Sequence, residues 1–193
     1  MRLFVAIELP DGARAAIAAA IAELQPRAGG ARLGWTQADR AHLTLHFLGE
    51  VDQARTARLL PLLAAPCAEP PFDLALGGLG VFPSRRAARV LWTGVTAGAE
   101  PVHRLHREVG IRLHGAGVTV DPRPYTPHLT LARMRAPLPP ATLRAILESP
   151  PGEIARWRVE RATLFESRPG TGGHIYTALA FAPLSGMAPS GED

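Results

Sequence analysis

The sequence predicts an α+β fold of two lobes related by a pseudo-twofold axis, with two mostly antiparallel sheets flanked by helices around a central cleft. Three observations predict this fold. Segments of strand and helix character alternate in groups, without the strict βαβ rhythm or glycine-rich phosphate loop of a parallel-sheet protein. No linker is long enough to separate two independent domains. The tetrad His42-Leu43-Thr44-Leu45 returns as His128-Leu129-Thr130-Leu131, which suggests two lobes of similar construction.

The first third of the chain predicts strands at 3–8, 35–36 and 41–48. A helix begins at Pro10-Asp11-Gly12 and has apolar residues at helical spacing up to Leu24. Asp52 is the expected cap of a second helix, in which Pro61 predicts a kink or an early end. We interpret the N-terminal apolar run as the first strand and not as a signal peptide, because no small-residue cleavage site follows it.

The remainder predicts five strands, two helices and a tail. The strands are expected at 72–79, 89–95 and 125–134, with further strands at 157–165 and 174–181. Helices are expected at 100–114 and 139–147, the first stopped by Gly115 and Gly117 and the second beginning at a proline. Residues 1–184 are therefore predicted to form a single bilobal domain. Residues 185–193 are small and polar, which predicts a flexible C-terminal tail.

Composition limits the function classes. The net charge is +4, and all 21 basic residues are arginine, whose planar fork suits phosphate. The high arginine content also fits a GC-rich genome, so the charge permits an anionic substrate without requiring one. Cys67 is the single cysteine, which excludes an internal disulfide and a multi-cysteine zinc site and favours the cytoplasm. No apolar run is long enough for a membrane span, so no membrane partner is expected.

The repeated tetrad carries the chemistry that the sequence predicts. Side chains alternate along a strand, so His42 shares a face with Thr44, and His128 shares one with Thr130. Two such strands facing each other would direct two His/Thr pairs into one cleft. A phosphate between them would meet a proton acceptor on one side and a proton donor on the other. The threonine hydroxyls would stabilise the negative charge that accumulates on the non-bridging oxygens.

Two other interpretations of these residues remain open at this point. A single His-Leu-Thr-Leu segment is most often an ordinary strand, and only the repetition argues against chance. A zinc site is the second alternative, since His42 and His46 are four residues apart, as on a metal-binding helix. The leucines between them favour a strand, and His103 and His106 have no obvious third ligand nearby. We therefore predict no metal site.

Several segments together resemble one known family, the 2H phosphoesterase superfamily, in its bacterial and archaeal RNA 2′,3′-cyclic phosphodiesterase branch, also called 2′-5′ RNA ligase. The resemblance rests first on the paired His-x-Thr-x motifs. Further matching segments are Arg2-Leu3-Phe4-Val5-Ala6-Ile7-Glu8-Leu9-Pro10, His42 to Val51, Tyr125 to Arg133, and Leu164-Phe165-Glu166-Ser167-Arg168. These segments extend from the first residues almost to the last predicted strand.

The resemblance implies a hydrolase that opens the terminal 2′,3′-cyclic phosphate of RNA to a 2′-phosphate without a metal or cofactor. It implies that His42 is the proton donor and His128 the proton acceptor, roles that the pseudo-symmetric residues alone leave open. Thr44 and Thr130 carry over as phosphate ligands. The implied partners are RNA with a cyclic phosphate terminus or small cyclic-phosphate nucleotides, and we expect a monomer.

Three further residues are expected to contact the substrate. Arg133 follows the second tetrad at a position that is often basic in the family. In a regular strand it would share the face of Leu129 and Leu131, and would need a bulge or a strand end to reach the phosphate. Phe47 and Tyr125 are expected to stack on the terminal base, with core packing as the alternative for Phe47.

Other functions compete with hydrolysis of an RNA cyclic phosphate. The same histidines could join RNA ends through a 2′-5′ linkage or open another small cyclic nucleotide. A short cleft without an extended basic surface would favour small substrates. A non-catalytic module that binds RNA ends is a different class, but a pure binder does not need two proton-transfer groups. A small buried hydrophobe is the default interpretation of Cys67.

Overall fold

The computed structural model describes residues 1–148, 150–171 and 173–186, and within them the chain forms nine strands and four α-helices. The strands are β1 (Arg2–Glu8), β2 (Leu33–Trp35), β3 (His42–Glu50), β4 (Phe72–Phe82), β5 (Val90–Ala97), β6 (His128–Met134), β7 (Glu153–Val159), β8 (Arg161–Gly170) and β9 (Gly173–Pro183). The helices are α1 (Asp11–Leu24), α2 (Gln53–Ala64), α3 (Ala99–Gly115) and α4 (Pro140–Leu147).

The strands form two sheets, and every pairing between these strands is antiparallel. One sheet has four strands in the order β3-β1-β8-β9, and the other has five in the order β2-β6-β5-β4-β7. This arrangement confirms the predicted α+β fold with two antiparallel sheets flanked by helices. The tetrad strands β3 and β6 belong to different sheets and lie against each other, so the two sheets meet where the repeated motif is found.

The chain passes between the two sheets several times. β2 lies between β1 and β3 in sequence, yet it forms the edge of the five-stranded sheet beside β6. β8 and β9 follow the last strand of the five-stranded sheet and return to the four-stranded one, where β8 pairs with β1. Neither lobe is therefore a continuous piece of the chain.

Most predicted elements are confirmed, but the segment 157–165 is not one strand. β7 ends at Val159 and β8 begins at Arg161, with Glu160 between them. β7 pairs with β4 in one sheet, whereas β8 pairs with β1 and β9 in the other. The apolar residues continue across the boundary, but the partner strand changes, and a local pattern carries no information about that change.

Two further boundaries differ from the prediction. β6 begins at His128 and not at Tyr125, because prolines at 124 and 127 cannot donate a backbone hydrogen bond. α2 does not end early at Pro61 but continues to Ala64. Pro61 removes one backbone donor, and its turn is still closed by a hydrogen bond from the Ala65 N–H to the Pro61 carbonyl.

The helices cover the outer side of the core through periodic apolar faces. α1 buries Ala13, Ile17, Ala20, Ile21 and Leu24, and α3 buries Val102, Leu105, Val109 and Leu113. This spacing of three and four residues is that of an amphipathic helix packed on one side. The Asp52 side chain caps α2 as predicted, accepting a hydrogen bond of 2.8 Å from the Arg55 N–H.

A β-bulge interrupts each tetrad strand at the last residue of the tetrad. Two consecutive residues of β1 pair with Thr44 and His46 of β3, which leaves Leu45 as an extra, unpaired residue. In the same way, two consecutive residues of β5 pair with Thr130 and Ala132 of β6, which leaves Leu131 unpaired. A bulge of this kind shifts the alternation of side chains by one residue. Two consecutive side chains are accordingly buried in each strand, Leu45 with His46 and Leu131 with Ala132.

The C-terminal end of the described chain is held against the core. Leu184 forms an isolated bridge with Cys67, and Ser185 donates its N–H and its hydroxyl to the Cys67 carbonyl. Of the tail predicted at 185–193, residues 187–193 lie outside the described residues. Within the described chain, none of the helices is both long and apolar enough to span a bilayer.

Candidate active site

A cleft of about 380 Å³ opens between the two sheets, and both tetrads contribute to its wall. His42 and Thr44 come from β3, and His128 and Thr130 come from β6. The leucines of each tetrad face the other way and are almost completely buried. The strand alternation inferred from the sequence therefore holds within each tetrad, and the structure brings the four polar residues together in one concavity.

The two histidines are held in the same way. The Nδ1 of His42 lies 2.8 Å from the Arg40 carbonyl, and the Nδ1 of His128 lies 2.7 Å from the Thr126 carbonyl. A carbonyl oxygen can only accept, so Nδ1 carries the proton in both rings. Nε2 is then the nitrogen that each ring offers to the cleft, as an acceptor when neutral and as a donor when protonated.

Aromatic rings surround each histidine, but they differ between the lobes. Phe4 stacks on His42 with centroids 4.7 Å apart, and Tyr176 meets the same ring edge-on at 5.3 Å. Phe82 meets His128 edge-on at 4.9 Å, with Trp92 beyond it at 6.0 Å. These apolar neighbours limit rotation of the imidazoles and reduce their contact with water.

The surroundings lower the pKa of both histidines below the ordinary value of 6.5. Burial is the largest cause for His42 and His128, because an apolar environment disfavours the charged ring. The Nδ1 hydrogen bonds to backbone carbonyls oppose this effect, and the positive charge of Arg133 reinforces it. As long as no anion occupies the cleft, both rings therefore favour the neutral form more strongly than a free imidazole does.

The backbone carbonyl of each tetrad threonine also accepts a hydrogen bond from a side-chain hydroxyl of a neighbouring segment. The Tyr125 hydroxyl donates to the Thr44 carbonyl at 2.8 Å, from the residues that lead into β6. The Thr36 hydroxyl donates to the Thr130 carbonyl at 2.8 Å, from the residue after β2. Side-chain hydroxyls thus provide these two backbone carbonyls with hydrogen-bond donors from outside the strands.

The bulge at Leu131 decides the position of Arg133. In a regular strand Arg133 would face away from His128, but the extra residue returns it to the His128 side. Arg133 is exposed and lines the cleft together with both histidines. The structural condition for Arg133 to approach a phosphate, a bulge in the strand, is therefore present.

Phe47 and Tyr125 have different environments. The bulge at Leu45 places Phe47 on the cleft side, where its side chain is 64% exposed and lines the wall, so it does not pack in the core. Tyr125 is half-buried, and its ring stacks on His106 with centroids 3.9 Å apart. Tyr125 is absent from the described lining of the cleft. The structure does not support base stacking by Tyr125 and gives it instead the contact with the Thr44 carbonyl.

The other histidines considered for a metal site are separated from His42. The bulge at Leu45 places His46 on the buried face, where its Nε2 hydrogen-bonds to the His106 carbonyl at 2.8 Å. The His46 and His106 rings stack with centroids 4.0 Å apart, and His103 meets Tyr125 edge-on. No group of three His, Cys, Asp or Glu residues suited to a metal ion occurs among the residues placed by the structure.

Several residues of the cleft were not predicted from the sequence. They are Trp35, Gln37 and Arg40 near the end of β2, Phe82 at the end of β4, and Tyr176 on β9. Trp92 supports the wall behind His128. Gly80 makes room for the Trp92 ring, since a Cβ at Gly80 would lie 2.1 Å from the indole. These residues come from separate strands, and no local motif marks them as neighbours.

The sequence of this chain is similar to a known family model and to known proteins. The sequence model of the 2′-5′ RNA ligase superfamily matches residues 9–171. An RNA 2′,3′-cyclic phosphodiesterase of Geobacillus stearothermophilus is 36% identical over 82% of the chain, which spans about half (49%) of that relative's length. An RNA 2′,3′-cyclic phosphodiesterase of Thermus thermophilus is 33% identical over 96% of this chain and 91% of its own.

Solved structures show the same fold. The apo structure of E. coli LigT superposes with a TM-score of 0.76 at 31% identity, covering 95% of this chain and 97% of that one. LigT in complex with 3′-AMP superposes with a TM-score of 0.74 at 32% identity, covering 95% and 98%. The similarity therefore extends over both lobes and includes the strands that carry the two tetrads.

Proposed function

The chain belongs to the 2′-5′ RNA ligase superfamily, and we propose that it is a hydrolase that opens the terminal 2′,3′-cyclic phosphate of RNA to a 2′-phosphate. The observation that carries this proposal is the pair of His-x-Thr tetrads facing one cleft, each with its Nδ1 bound to a carbonyl. The names of the relatives from Geobacillus and Thermus support the choice of substrate.

The two histidines divide the proton transfers between them. His128, neutral, accepts a proton at Nε2 from the water that attacks phosphorus, and a new P–O bond forms. The bond between phosphorus and the ribose 3′ oxygen breaks, and His42, protonated, donates a proton to that oxygen. The reaction adds one water molecule, and exchange of protons with solvent returns both rings to their starting states. No metal ion takes part in this proposal.

Thr44, Thr130 and Arg133 stabilise the charge on the phosphate. The threonine hydroxyls donate to the non-bridging oxygens, where negative charge increases as water attacks. Arg133 supplies a permanent positive charge at the same wall of the cleft. An anion bound between the histidines also raises their pKa, which offsets the lowering caused by burial and allows one ring to be protonated.

The terminal nucleoside lies against Phe47. Its exposed ring borders both the catalytic cleft and an adjoining concavity of about 420 Å³, whose wall also includes His42 and Tyr176. Stacking of a base on an aromatic ring is tolerant of base identity. This position is consistent with a nucleotide-binding cleft, and LigT has been crystallised with 3′-AMP.

We further propose that the chain acts as a monomer in the cytoplasm. Both tetrad strands belong to one chain, so the site needs no residue from a second copy. Burial raises the pKa of the Cys67 thiol to about 11, which disfavours the reactive thiolate.

The test is a turnover assay on a short RNA that ends in a 2′,3′-cyclic phosphate, in EDTA, from about pH 5 to about pH 9. We expect a 2′-phosphate product, identified by phosphorus NMR, and a bell-shaped pH profile. Dependence on added zinc would contradict the two-histidine mechanism. Binding of the RNA without turnover under any condition would favour a module that only binds RNA ends.

The same assay separates hydrolysis from ligation. Ligation would use the histidines in the same roles, because a 5′ hydroxyl would replace water as the nucleophile and the 3′ oxygen would still leave, giving a 2′-5′ linkage as the product. An RNA with a free 5′ hydroxyl is added in excess for this arm. Accumulation of a longer product that resists a nuclease specific for 3′-5′ linkages would favour ligation over hydrolysis.

A further inference from the structure

One end of the five-stranded sheet carries a concentration of positive charge. We call it the arginine end, and its members are Arg32, Arg85, Arg86, Arg89, Arg133 and Arg135. All six side chains are exposed. They come from three separate parts of the chain, so the cluster is a product of the fold and not of a basic run in the sequence.

The strand pairing brings these residues together. Val90 at the start of β5 lies opposite Arg133 near the end of β6, and the Arg89 guanidinium donates to the Arg135 carbonyl at 2.5 Å. On the other side of β6, β2 pairs so that Leu33, which follows Arg32, lies opposite Met134. Neighbouring strands are about 4.8 Å apart, so these arginines occupy adjacent positions across the sheet.

Arg85 and Arg86 complete the arginine end from the connection between β4 and β5. The Arg89 N–H donates to the Phe82 carbonyl at 2.7 Å, which closes this connection beside Arg89. The two residues lie in a short 3₁₀ turn whose side chains point away from the core. The connection therefore holds both guanidinium groups at the edge of the sheet.

This surface contains no counter-charge of its own. The sequence has no Asp or Glu in residues 24–38, 80–99 or 129–147, the segments that supply all six arginines. Ten other arginines form ion pairs with carboxylates. Among the residues that the structure describes, none of the six arginines of the arginine end forms an ion pair with a carboxylate. Six like charges side by side repel one another, and an external polyanion would relieve that repulsion.

The arginine end adjoins the catalytic cleft. Arg133 lines the cleft itself, and Gly34, Phe82 and Val90 line it next to the residues of the arginine end. The terminal phosphate already has two threonines and Arg133 as partners. The remaining five arginines therefore exceed what one phosphate can use, and they lie outside the cleft, next to residues that line it.

We propose that the arginine end binds the phosphodiester backbone of single-stranded RNA immediately upstream of the terminal nucleotide. The inference rests on the proposed function and adds to it a binding surface for the part of the RNA chain beyond the terminal nucleotide. Arginine contacts phosphate oxygens through two parallel hydrogen bonds. Contacts of this type fix the position of the chain without reading its bases, so binding is independent of sequence.

The test compares a double variant with a matched control. R85Q/R86Q removes two charges from the arginine end, and R58Q/R107Q removes two exposed arginines from α2 and α3, which do not line the cleft. Binding is measured by fluorescence anisotropy with an RNA of about ten nucleotides that ends in a 2′-phosphate, at several salt concentrations. Turnover is measured on the corresponding cyclic-phosphate RNA and on a 2′,3′-cyclic mononucleotide.

R85Q/R86Q should weaken RNA binding about fivefold to tenfold and reduce the slope of log K against log salt by roughly 1.4, about 0.7 for each arginine that no longer binds a phosphate. The kcat/KM for the RNA should fall by a similar factor. Turnover of the mononucleotide should remain within about twofold of the unaltered protein, because Arg85 and Arg86 are not among the residues that line the cleft. The control R58Q/R107Q should leave all three quantities nearly unchanged.

Equal effects of the two double variants on RNA binding would overturn the proposal, since they would show a general effect of charge. An equal loss on RNA and mononucleotide would also overturn it. Failure of the proposed function is a separate result, in which the unaltered protein turns over neither substrate. The anisotropy measurement needs no turnover, so the arginine end is tested in that case as well.

Discussion

The two halves of the cleft use the same backbone design and surround it with different side chains. β3 and β6 each present a histidine, a threonine and a bulge at the fourth residue of the tetrad. At the next two positions β3 has His46 and Phe47, where β6 has Ala132 and Arg133. One half therefore adds an aromatic surface to the wall, and the other adds a positive charge.

This comparison separates what the chemistry needs from what the substrate needs. Proton transfer on opposite sides of a phosphate needs two similar groups, and the halves are alike in the tetrads and in the hydrogen bonds of Nδ1. A nucleotide is itself asymmetric, with an apolar base at one end and charged phosphates at the other. The halves differ at the position five residues after each histidine, where Phe47 and Arg133 line the cleft and are expected to meet these two ends.

The largest expected effect tests whether the two halves are equal in chemistry. His42→Ala and His128→Ala should each reduce kcat/KM on a cyclic-phosphate RNA by about 10²-fold to 10⁴-fold, because each removes one proton-transfer group. The double variant should be little worse than either single one, since the two groups act as a unit. Thermal unfolding checks that each variant is folded. A variant that keeps near-normal turnover would show that its half is not part of the mechanism.

A smaller effect is expected from the threonines. Thr44→Val and Thr130→Val should each reduce kcat by roughly 10-fold to 100-fold, because one donor to the developing charge is removed while both histidines remain. The two reductions should be similar, since both hydroxyls line the same cleft. Steady-state kinetics with a dinucleotide that ends in a 2′,3′-cyclic phosphate measures them. A hundredfold difference between the two variants would mean that the phosphate is bound by one half only.

Arg133 and Phe47 should differ in their effect on pH dependence. Both histidines have a lowered pKa, so the kcat/KM of the free enzyme should be optimal below pH 6.5. Arg133 contributes to that lowering, and Arg133→Gln should therefore shift the optimum to higher pH as well as reduce the rate. Phe47→Ala should raise KM roughly tenfold through loss of stacking and leave the optimum in place. Identical pH profiles for both variants would contradict this division.

A smaller expected effect concerns stability, and the buried pair of His46 and His106 beside the His42 half contributes to it. Burial lowers the pKa of His46, and it lowers that of His106 to about 4. The unfolded chain then binds protons more readily than the folded one, so the free energy of unfolding should decrease as the pH falls from about 6.5 to about 4. His106→Phe keeps an aromatic ring in the stack and should flatten this dependence. Urea unfolding at several pH values measures it.

Tyr125→Phe provides a second measure of the same region. The variant loses the hydrogen bond to the Thr44 carbonyl and keeps the ring stacked on His106. A decrease of about 1 kcal/mol in the free energy of unfolding is expected, with kcat falling severalfold through displacement of Thr44. A rise in KM without a change in kcat would instead indicate that Tyr125 contacts the substrate.

The sequence predicted the tetrads, their strands and the antiparallel α+β fold because these depend on local alternation and on repetition. It did not predict the bulges at Leu45 and Leu131, since one extra residue leaves no distinct mark in a run of apolar side chains. The bulges nevertheless decide that Phe47 and Arg133 face the cleft and that His46 does not. The error at 157–165 has a related origin, because a change of partner strand is a property of the whole fold.

The cleft residues that the sequence did not predict also depend on the arrangement of the whole fold. Phe82, Tyr176 and Trp92 become neighbours of the histidines only when β4, β5 and β9 take their places in the two sheets. Tyr125 shows the converse case, since it was expected to stack on the terminal base, whereas its ring stacks on His106 of α3. Residue type alone did not distinguish stacking on a base from stacking on a histidine.

The return of β8 to the first sheet has a consequence for the order in which a newly made chain can fold. Arg2 of β1 lies opposite Ser167 of β8, a separation of 165 residues (167 − 2). During synthesis β1 can pair with β3 early, but its other edge stays open until almost the entire chain has left the ribosome. An open apolar edge invites pairing with other chains. Pairing of β1 with the emerged β8, and not the earlier formation of the tetrad strands, is therefore the step that closes this edge of the nascent protein to other chains.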